Sequence, residues 1–303
     1  MSTTELLKNL HDGDRRALAR CISIVENDSN GALEILQELQ TNKNIPIIGI
    51  TGPPGAGKST LVSALISYFM KTKTNCKVAV LAVDPTSPFT NGSLLGDRLR
   101  MTEHFNNPDV FIRSLATRGA LGGLSAKTLE ITDLLLAAGF DFIFIETVGV
   151  GQSEIEIVSL AETTVVVFVP ESGDEIQTIK SGIMEVGDIF VVNKSDREGA
   201  DRMVKNLKTT LHERAATGWE VPVVKTIAST QSGIPELAQF IQNHHAQSHF
   251  TRSSQELLLN KALRLAQNYA LRKTDLIKFK QELELSSGKP DFNLYRFLSN
   301  WFS

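Results

Sequence analysis

The residues best placed to do chemistry run consecutively. Gly52, Pro53, Pro54, Gly55, Ala56, Gly57, Lys58, Ser59 and Thr60 fit the pattern G-x-x-x-x-G-K-[ST]. In such a run the glycines let successive backbone N–H groups turn inward around a phosphate, and the following helix start adds its partial positive charge. Lys58 would reach the β- and γ-phosphates as a catalytic charge, and Ser59 would offer its hydroxyl to Mg²⁺. A glycine-rich turn that ends in Lys-Ser by chance is the competing reading. The flanks argue against it: the apolar run Ile47–Ile50 enters the loop as a strand, and an amphipathic helix from Thr60 to Phe69 leaves it.

A phosphate loop does not choose a base. Asn193-Lys194-Ser195-Asp196, after the apolar run Ile189–Val192, does. The Asp196 carboxylate can accept both N1–H and the 2-amino group of guanine, a donor pair that adenine lacks. Asn193 would brace the loop, and the stem of Lys194 would cover one face of the base. Ile227-Ala228-Ser229 stands where guanine-nucleotide proteins carry Ser-Ala-x; the serine is missing, and the Ala228 N–H is left to contact guanine O6. Two acids end strands on the same side: Asp84 after Val78–Val83, and Glu146 after Phe142–Ile145. Either could hold Mg²⁺ directly or through water. A Glu at the position of Glu146 with an Asp after the second strand is similar to the P-loop branch of signal-recognition GTPases and metallochaperones. Gly149 is then the γ-phosphate sensor, and Gln152 either orients the attacking water or stands as a solvent-facing loop residue.

These residues need a frame. Apolar runs at 46–50, 78–83, 140–145, 164–169, 189–192 and 221–226 lack period-2 alternation, as strands buried on both faces do. Amphipathic stretches alternate with them. The fold class is therefore α/β: a P-loop NTPase with a mostly parallel sheet flanked by helices, carrying helical extensions at both ends. Residues 1–44 read as an N-terminal helical extension whose break, at Asn27–Gly31, offers Ser29 or Asn30 as a cap for the next helix. Residues 45–244 form the nucleotide domain and 245–303 a C-terminal helical segment. The apolar end (Leu294, Phe297, Leu298, Trp301, Phe302) packs either on its own core or on another subunit. The chain has 303 residues, net charge −3, 42% hydrophobic and 21% charged residues. That balance excludes a disordered chain and a dedicated nucleic-acid binder. Cys21 and Cys76 are too few for a disulfide framework. No apolar run approaches the ~18 residues of a membrane span, and the start has no leader character, so a cytoplasmic protein is expected.

Taken together, the motifs resemble one family, the methylmalonyl-CoA mutase-associated GTPases (MeaB/ArgK type) of the SIMIBI class. The matching stretches are 49–60, Ala82–Ser87, Leu94–Arg98 with Met101, Phe111–Ser114 through Ala116–Gly119, Gly122–Leu124, Glu146–Ser153, Gly173–Glu175 with Gln177, and Asn193–Asp196. The opening Gly13–Ala19 looks like theirs too. The resemblance implies Mg²⁺-dependent GTP hydrolysis with slow intrinsic turnover, serving as a chaperone of an adenosylcobalamin-dependent acyl-CoA mutase. GTP binding and hydrolysis would gate cofactor loading and protect or reactivate the mutase. It further implies that Asp97 approaches Mg²⁺ and the γ-phosphate, directly or at one remove, as a catalytic and metal candidate. The segment 171–184, with Asp174, Glu175 and Lys180, would be the loop that communicates with the mutase, and the C-terminal helices would join a homodimer. Three alternatives stand beside it, one of them a plain nucleotide-regulated scaffold, which stoichiometric GTP turnover without any bound mutase would favour. A nickel-type metallochaperone GTPase would draw on His244, His245 and His249, which otherwise read as a solvated helix end. A kinase of a transport protein would need a docking surface for its phosphoacceptor.

Overall fold

The computed structural model describes residues 2–42, 44–84, 98–116, 126–147, 157–173, 182–212, 218–251, 254–273, 275–287 and 293–302. Compactness divides the chain into two units, Met1–Leu257 and Leu258–Ser303. The first is built on a sheet of seven strands: β1 (Ile47–Thr51), β2 (Val78–Asp84), β3 (Val110–Ala116), β4 (Phe142–Glu146), β5 (Thr163–Phe168), β6 (Ile189–Val192) and β7 (Val223–Lys225). Their order across the sheet is β3-β2-β4-β1-β5-β6-β7, and every pair is parallel. Six strands match the apolar runs. The seventh, β3, is an addition: as an edge strand it keeps Ile112 and Arg113 only half-buried, so its sequence carries no continuous apolar run.

The described helices of this unit are α1 (Thr3–His11), α2 (Arg15–Glu26), α3 (Ala32–Gln37), α4 (Lys58–Thr72), α5 (Ala126–Ala137), α6 (Ile183–Val186), α7 (Ala200–His212) and α8 (Ile234–Thr251). Successive strand residues point to opposite faces, and the core follows that period. One face (Ile48, Ile50, Val78, Val80, Phe142, Phe144, Val165, Val167, Ile189, Val191) packs on Leu61, Leu65 and Phe69 of α4 and on Leu237 and Ile241 of α8. Phe69 stacks on Phe142 with ring centroids 4.1 Å apart. On the other face Val166, Phe168, Phe190 and Val192 meet Met203 and Leu207 of α7. Each such fully buried side chain contributes about 1.5–3 kcal/mol.

The N-terminal helices join this unit through polar ties as well as apolar ones. Arg113 of β3 pairs with Glu26 at 2.6 Å, Arg15 donates to the Val110 carbonyl at 2.6 Å, and Lys127 of α5 donates to the Val25 carbonyl at 2.5 Å. Asp14 caps α2 by accepting from the Arg16 and Ala17 amides. The cap of α3 differs from expectation. Gly31 takes that position at φ +90°, where neither Ser29 nor Asn30 would sit without strain, and Ser29 contributes only its carbonyl, to the Ala32 amide.

The helix end at His244 and His245 is also corrected. It is not solvated: His244 is 3% exposed, and its Nδ1 and the Thr163 hydroxyl lie 2.8 Å apart. His244 Nε2 is 3.5 Å from Asp188, and the Trp219 ring meets the imidazole edge-on. The reason is the helical period: the buried stripe Ile234, Leu237, Ala238, Ile241 continues onto 244 and 245. The second unit contains most of α9 (Ser254–Lys273), with α10 (Leu276–Ser287) and α11 (Leu294–Phe302). Phe279, Phe297 and Trp301 pack together there, while Leu258, Leu259, Leu263, Leu285 and Tyr295 are exposed. Among the described residues no helix is long and apolar enough to cross a membrane.

Candidate nucleotide site

Because every strand is parallel, the carboxyl ends of β1, β2, β4, β6 and β7 share one edge. The chain runs from β1 to β2 on one side and later fills β5, β6 and β7 on the other. That reversal opens a crevice outside the strand ends, the usual ligand position in doubly wound sheets.

Residues 52–57 leave β1 in the crevice, and α4 begins at Lys58. Gly52 has φ +136°, and a Cβ there would lie 2.1 Å from the Val167 carbonyl oxygen, so only glycine passes this close to β5. Gly57 has φ +86°, and its Cβ would stand 2.5 Å from Asn193 Nδ2. Gly55, at φ +78°, has open space where a Cβ would be. Pro53, Ala56, Lys58 and Ser59 are buried, whereas Pro54, Gly55 and Thr60 are exposed. The Lys58 ammonium donates to the Gly52 carbonyl at 2.8 Å and the Pro53 carbonyl at 3.1 Å, which places it inside the loop. Ser59 Oγ donates to Glu146 Oε1 at 2.7 Å, with both residues buried. A hydroxyl and a carboxylate oxygen side by side are hard oxygen donors of the kind Mg²⁺ takes, so the pair fits that ion. Beside them the Thr147 hydroxyl donates to the Thr51 hydroxyl at 3.0 Å.

The base loop is fastened to the phosphate loop. Asn193, 2% exposed, donates through Nδ2 to the Ala56 carbonyl at 2.9 Å. Its Oδ1 accepts from the Thr226 hydroxyl at 3.1 Å and from the Ala228 amide at 3.2 Å. Lys194, at φ +54°, donates through Nζ to the Gly55 carbonyl at 2.8 Å. Asp196 is exposed at the end of this loop. The Ala228 N–H assigned to guanine O6 is thus engaged by Asn193, within the turn Ala228–Thr230 that also contains Ser229. Ile227 pairs across that turn with Ser232. Thr226 is a brace that the sequence did not single out; its signal is its place at the end of the 221–226 run, directly before Ile227-Ala228.

One further tie concerns the neighbouring segment. Arg197, next to Asp196, pairs with Glu171 beyond β5, and this guanidinium holds the Glu171 carboxyl below the usual carboxylate range. Asp84 is placed as the last residue of β2. Asp97, Gly149, Gln152, Asp174, Glu175 and Lys180 lie outside the described residues. Elsewhere the two cysteines are buried, and burial pushes both thiols up to about 11, away from reactive thiolate character. Among the described residues no group of three or more His, Cys, Asp or Glu side chains could hold a metal ion.

A family model described as Methylmalonyl Co-A mutase-associated GTPase MeaB matches residues 18–278. A candidate GTPase of Pyrococcus abyssi is 51% identical over 245 residues, 79% of this chain and 75% of that one. The fused isobutyryl-CoA mutase of Geobacillus kaustophilus is 36% identical over 243 residues, which is 75% of this chain but only 22% of the fused protein. Among solved structures, the LAO/AO transport system kinase aligns over 99% of this chain and 96% of its own, with a TM-score of 0.64 and 25% identity.

Proposed function

The chain belongs to the MeaB family of methylmalonyl-CoA mutase-associated GTPases, and from that premise we propose that it binds and hydrolyses GTP as a chaperone of an adenosylcobalamin-dependent acyl-CoA mutase. The observation that carries the GTP half is the fastening of Asn193-Lys194-Ser195-Asp196 onto the phosphate loop through Ala56 and Gly55. A base held by Asp196 and phosphates held by the 52–59 amides would belong to one nucleotide. Lys58 would exchange two carbonyl partners for phosphate oxygens on the same side of the loop. Ser59, Glu146, Asp84 and Asp97 would hold the metal, and Mg²⁺, when bound, would neutralise charge on the β- and γ-phosphates. Gly149 would sense the γ-phosphate and Gln152 would orient water. With catalysis left to positioning and charge, intrinsic turnover would be slow until a partner completes the site.

The mutase half is supported by the fused isobutyryl-CoA mutase, in which a homologous segment and a mutase share one chain. The loop with Asp174, Glu175 and Lys180 would meet that partner, and the Arg197–Glu171 pair ties its root to the base loop. We assign 1–44 and 245–303 as helical extensions of the 45–244 nucleotide domain, with the latter joining a cytoplasmic homodimer. The nickel reading draws on His244 and His245, which are engaged by Thr163, Asp188 and Glu162. The deciding experiment measures GTP turnover by the full chain with and without a mutase from the same organism. Stimulated turnover and a GTP-dependent change in cobalamin loading support the reading. Unchanged turnover and unchanged loading would refute it.

A further inference from the structure

The last tie between β1 and β4 is made by side chains. In the ladder Ile50 stands opposite Glu146, and one residue further the Thr147 amide donates to the Ile50 carbonyl at 3.1 Å. There both strands end, β1 turning into the phosphate loop at Gly52. At that fork the Thr147 hydroxyl donates to the Thr51 hydroxyl at 3.0 Å, with Thr51 0% and Thr147 1% exposed. β-branched residues suit a strand end, and valine would fill the same space. A hydroxyl in so dry a place is retained at a desolvation cost unless its bond does something.

We propose that Thr51 and Thr147 form a positioning pair, which sets Glu146 against Ser59 and so holds the metal end of the site in register with the phosphate loop. The placement supports this. Glu146 adjoins Thr147 in the chain, and Ser59, which donates to Glu146 at 2.7 Å, rides on the helix that the phosphate loop launches. Thr51 is the residue immediately before that loop. The hydroxyl bond therefore closes a ring: Thr51, the phosphate loop, Ser59, Glu146, Thr147 and back. Its opening would let the β4 tip shift relative to the loop, which affects a carboxylate more than it affects the amides around the β-phosphate.

This inference rests on the GTPase reading, and the test separates the two. Thr147→Val, Thr147→Ser, Thr51→Val and the double valine variant are compared with the wild-type chain. The measurements are kcat and KM for GTP, half-saturating Mg²⁺, melting temperature, and GDP affinity in Mg²⁺-free buffer. Loss of one neutral hydrogen bond predicts a kcat about fivefold lower and half-saturating Mg²⁺ raised by a similar factor. GDP affinity without Mg²⁺ should stay within about twofold, and Thr147→Ser should restore both deficits. The double variant should be no worse than the poorer single one, as members of one bond behave. Valine variants with unchanged kcat and Mg²⁺ dependence overturn the proposal. So does additive loss, or a serine variant as poor as valine. Should Thr147→Val fail to fold, Thr51→Val and Thr147→Ser carry the same comparison. A wild-type chain that binds no guanine nucleotide would sink the underlying reading, and the pair's role with it.

Discussion

Replacing Asn193 tests whether base loop and phosphate loop are one device. Its three hydrogen bonds, to the Ala56 carbonyl, the Thr226 hydroxyl and the Ala228 amide, lie at 2.9, 3.1 and 3.2 Å in a residue 2% exposed. Each neutral bond is worth about 0.5–1.5 kcal/mol, and a buried group left unsatisfied costs about 1–3 kcal/mol. Thr226 and Ala228 are buried, so Asn193→Ala should cost roughly 3–5 kcal/mol. At about 2–4 °C per kcal/mol for a domain of this size, the melting temperature falls by roughly 6–20 °C. GDP affinity should fall by at least about tenfold, because the Ala56 carbonyl loses the donor that fixes the loop. Asn193→Asp is sharper. It keeps both acceptor bonds but sets a carboxylate against the Ala56 carbonyl. The charged form is disfavoured there, so the folded-state pKa of the introduced carboxyl rises above its unfolded value. Its protonated form can donate to Ala56, so the deficit is full at neutral pH and shrinks as pH falls through that raised pKa. Thermal melts from pH 5 to 8 and titration with a fluorescent GDP analogue read both effects. If Asn193→Ala shifts the melting temperature by less than about 2 °C with GDP affinity unchanged, the bracing argument is refuted.

Three other outcomes are expected. Asp196→Asn should move base preference from guanine toward xanthine by about a hundredfold or more, because the amide offers a donor to the oxygen at base position 2; competition binding of GDP and XDP reads it, and an unchanged ratio removes Asp196 from the base site. The Glu162 carboxylate, 2.9 Å from His245, raises that imidazole's pKa, so its contribution to stability is full below the unfolded pKa near 6.5 and is lost as pH rises through the higher folded one. Melting temperature against pH should therefore flatten in that window for His245→Gln; an unaltered slope would show that the pair does not matter. His244→Ala should destabilise by roughly 2–4 kcal/mol, since it opens a cavity beside the Thr163 hydroxyl and Asp188. It should leave GDP affinity within about twofold, because Thr163 begins a strand of six residues whose far end, ~17 Å away, is the one beside the phosphate loop.

The sequence made the sheet legible wherever burial was two-sided. Runs such as Phe142–Ile145 and Val165–Phe168 admit no solvent face, so their residue types alone announce them. β3 escaped for the opposite reason: an edge strand may alternate, and Arg113 serves Glu26 of α2 rather than a core. The phosphate loop was legible because its constraint is local and geometric. Gly52 and Gly57 are needed at positive φ against Val167 and Asn193, and no other residue type fits. The same locality explains the failures. Gly31 rather than Ser29 caps α3 because the chain turns into the helix through a left-handed residue, which glycine adopts without strain. His244 looked solvated because its partners, Thr163 and Asp188, are about 80 and 56 residues away in sequence. Thr226 and Arg197 were not singled out for that reason too: the side chain of each acts through a partner distant in sequence, Asn193 and Glu171.

The ties to the phosphate loop come from both of its sides. Asn193 and Lys194 hold it from the β6 side through Ala56 and Gly55, and Glu146 holds it from the β4 side through Ser59, at the start of the helix it launches. β4 and β5 flank β1 directly, and β6 lies one strand beyond β5, so the two sets of ties pull on opposite flanks of a single six-residue turn. In the proposed reading, this turn links the base loop, which ends at Asp196, to the metal end at Ser59 and Glu146. Coupling of that kind requires the turn to be stiff. The close approach of Gly52 to the Val167 carbonyl, where a Cβ would stand at 2.1 Å, supplies the fulcrum on β5. In the proposed reading, a base loop and a metal end that answer to one clamped turn are suited to reporting nucleotide state to a partner.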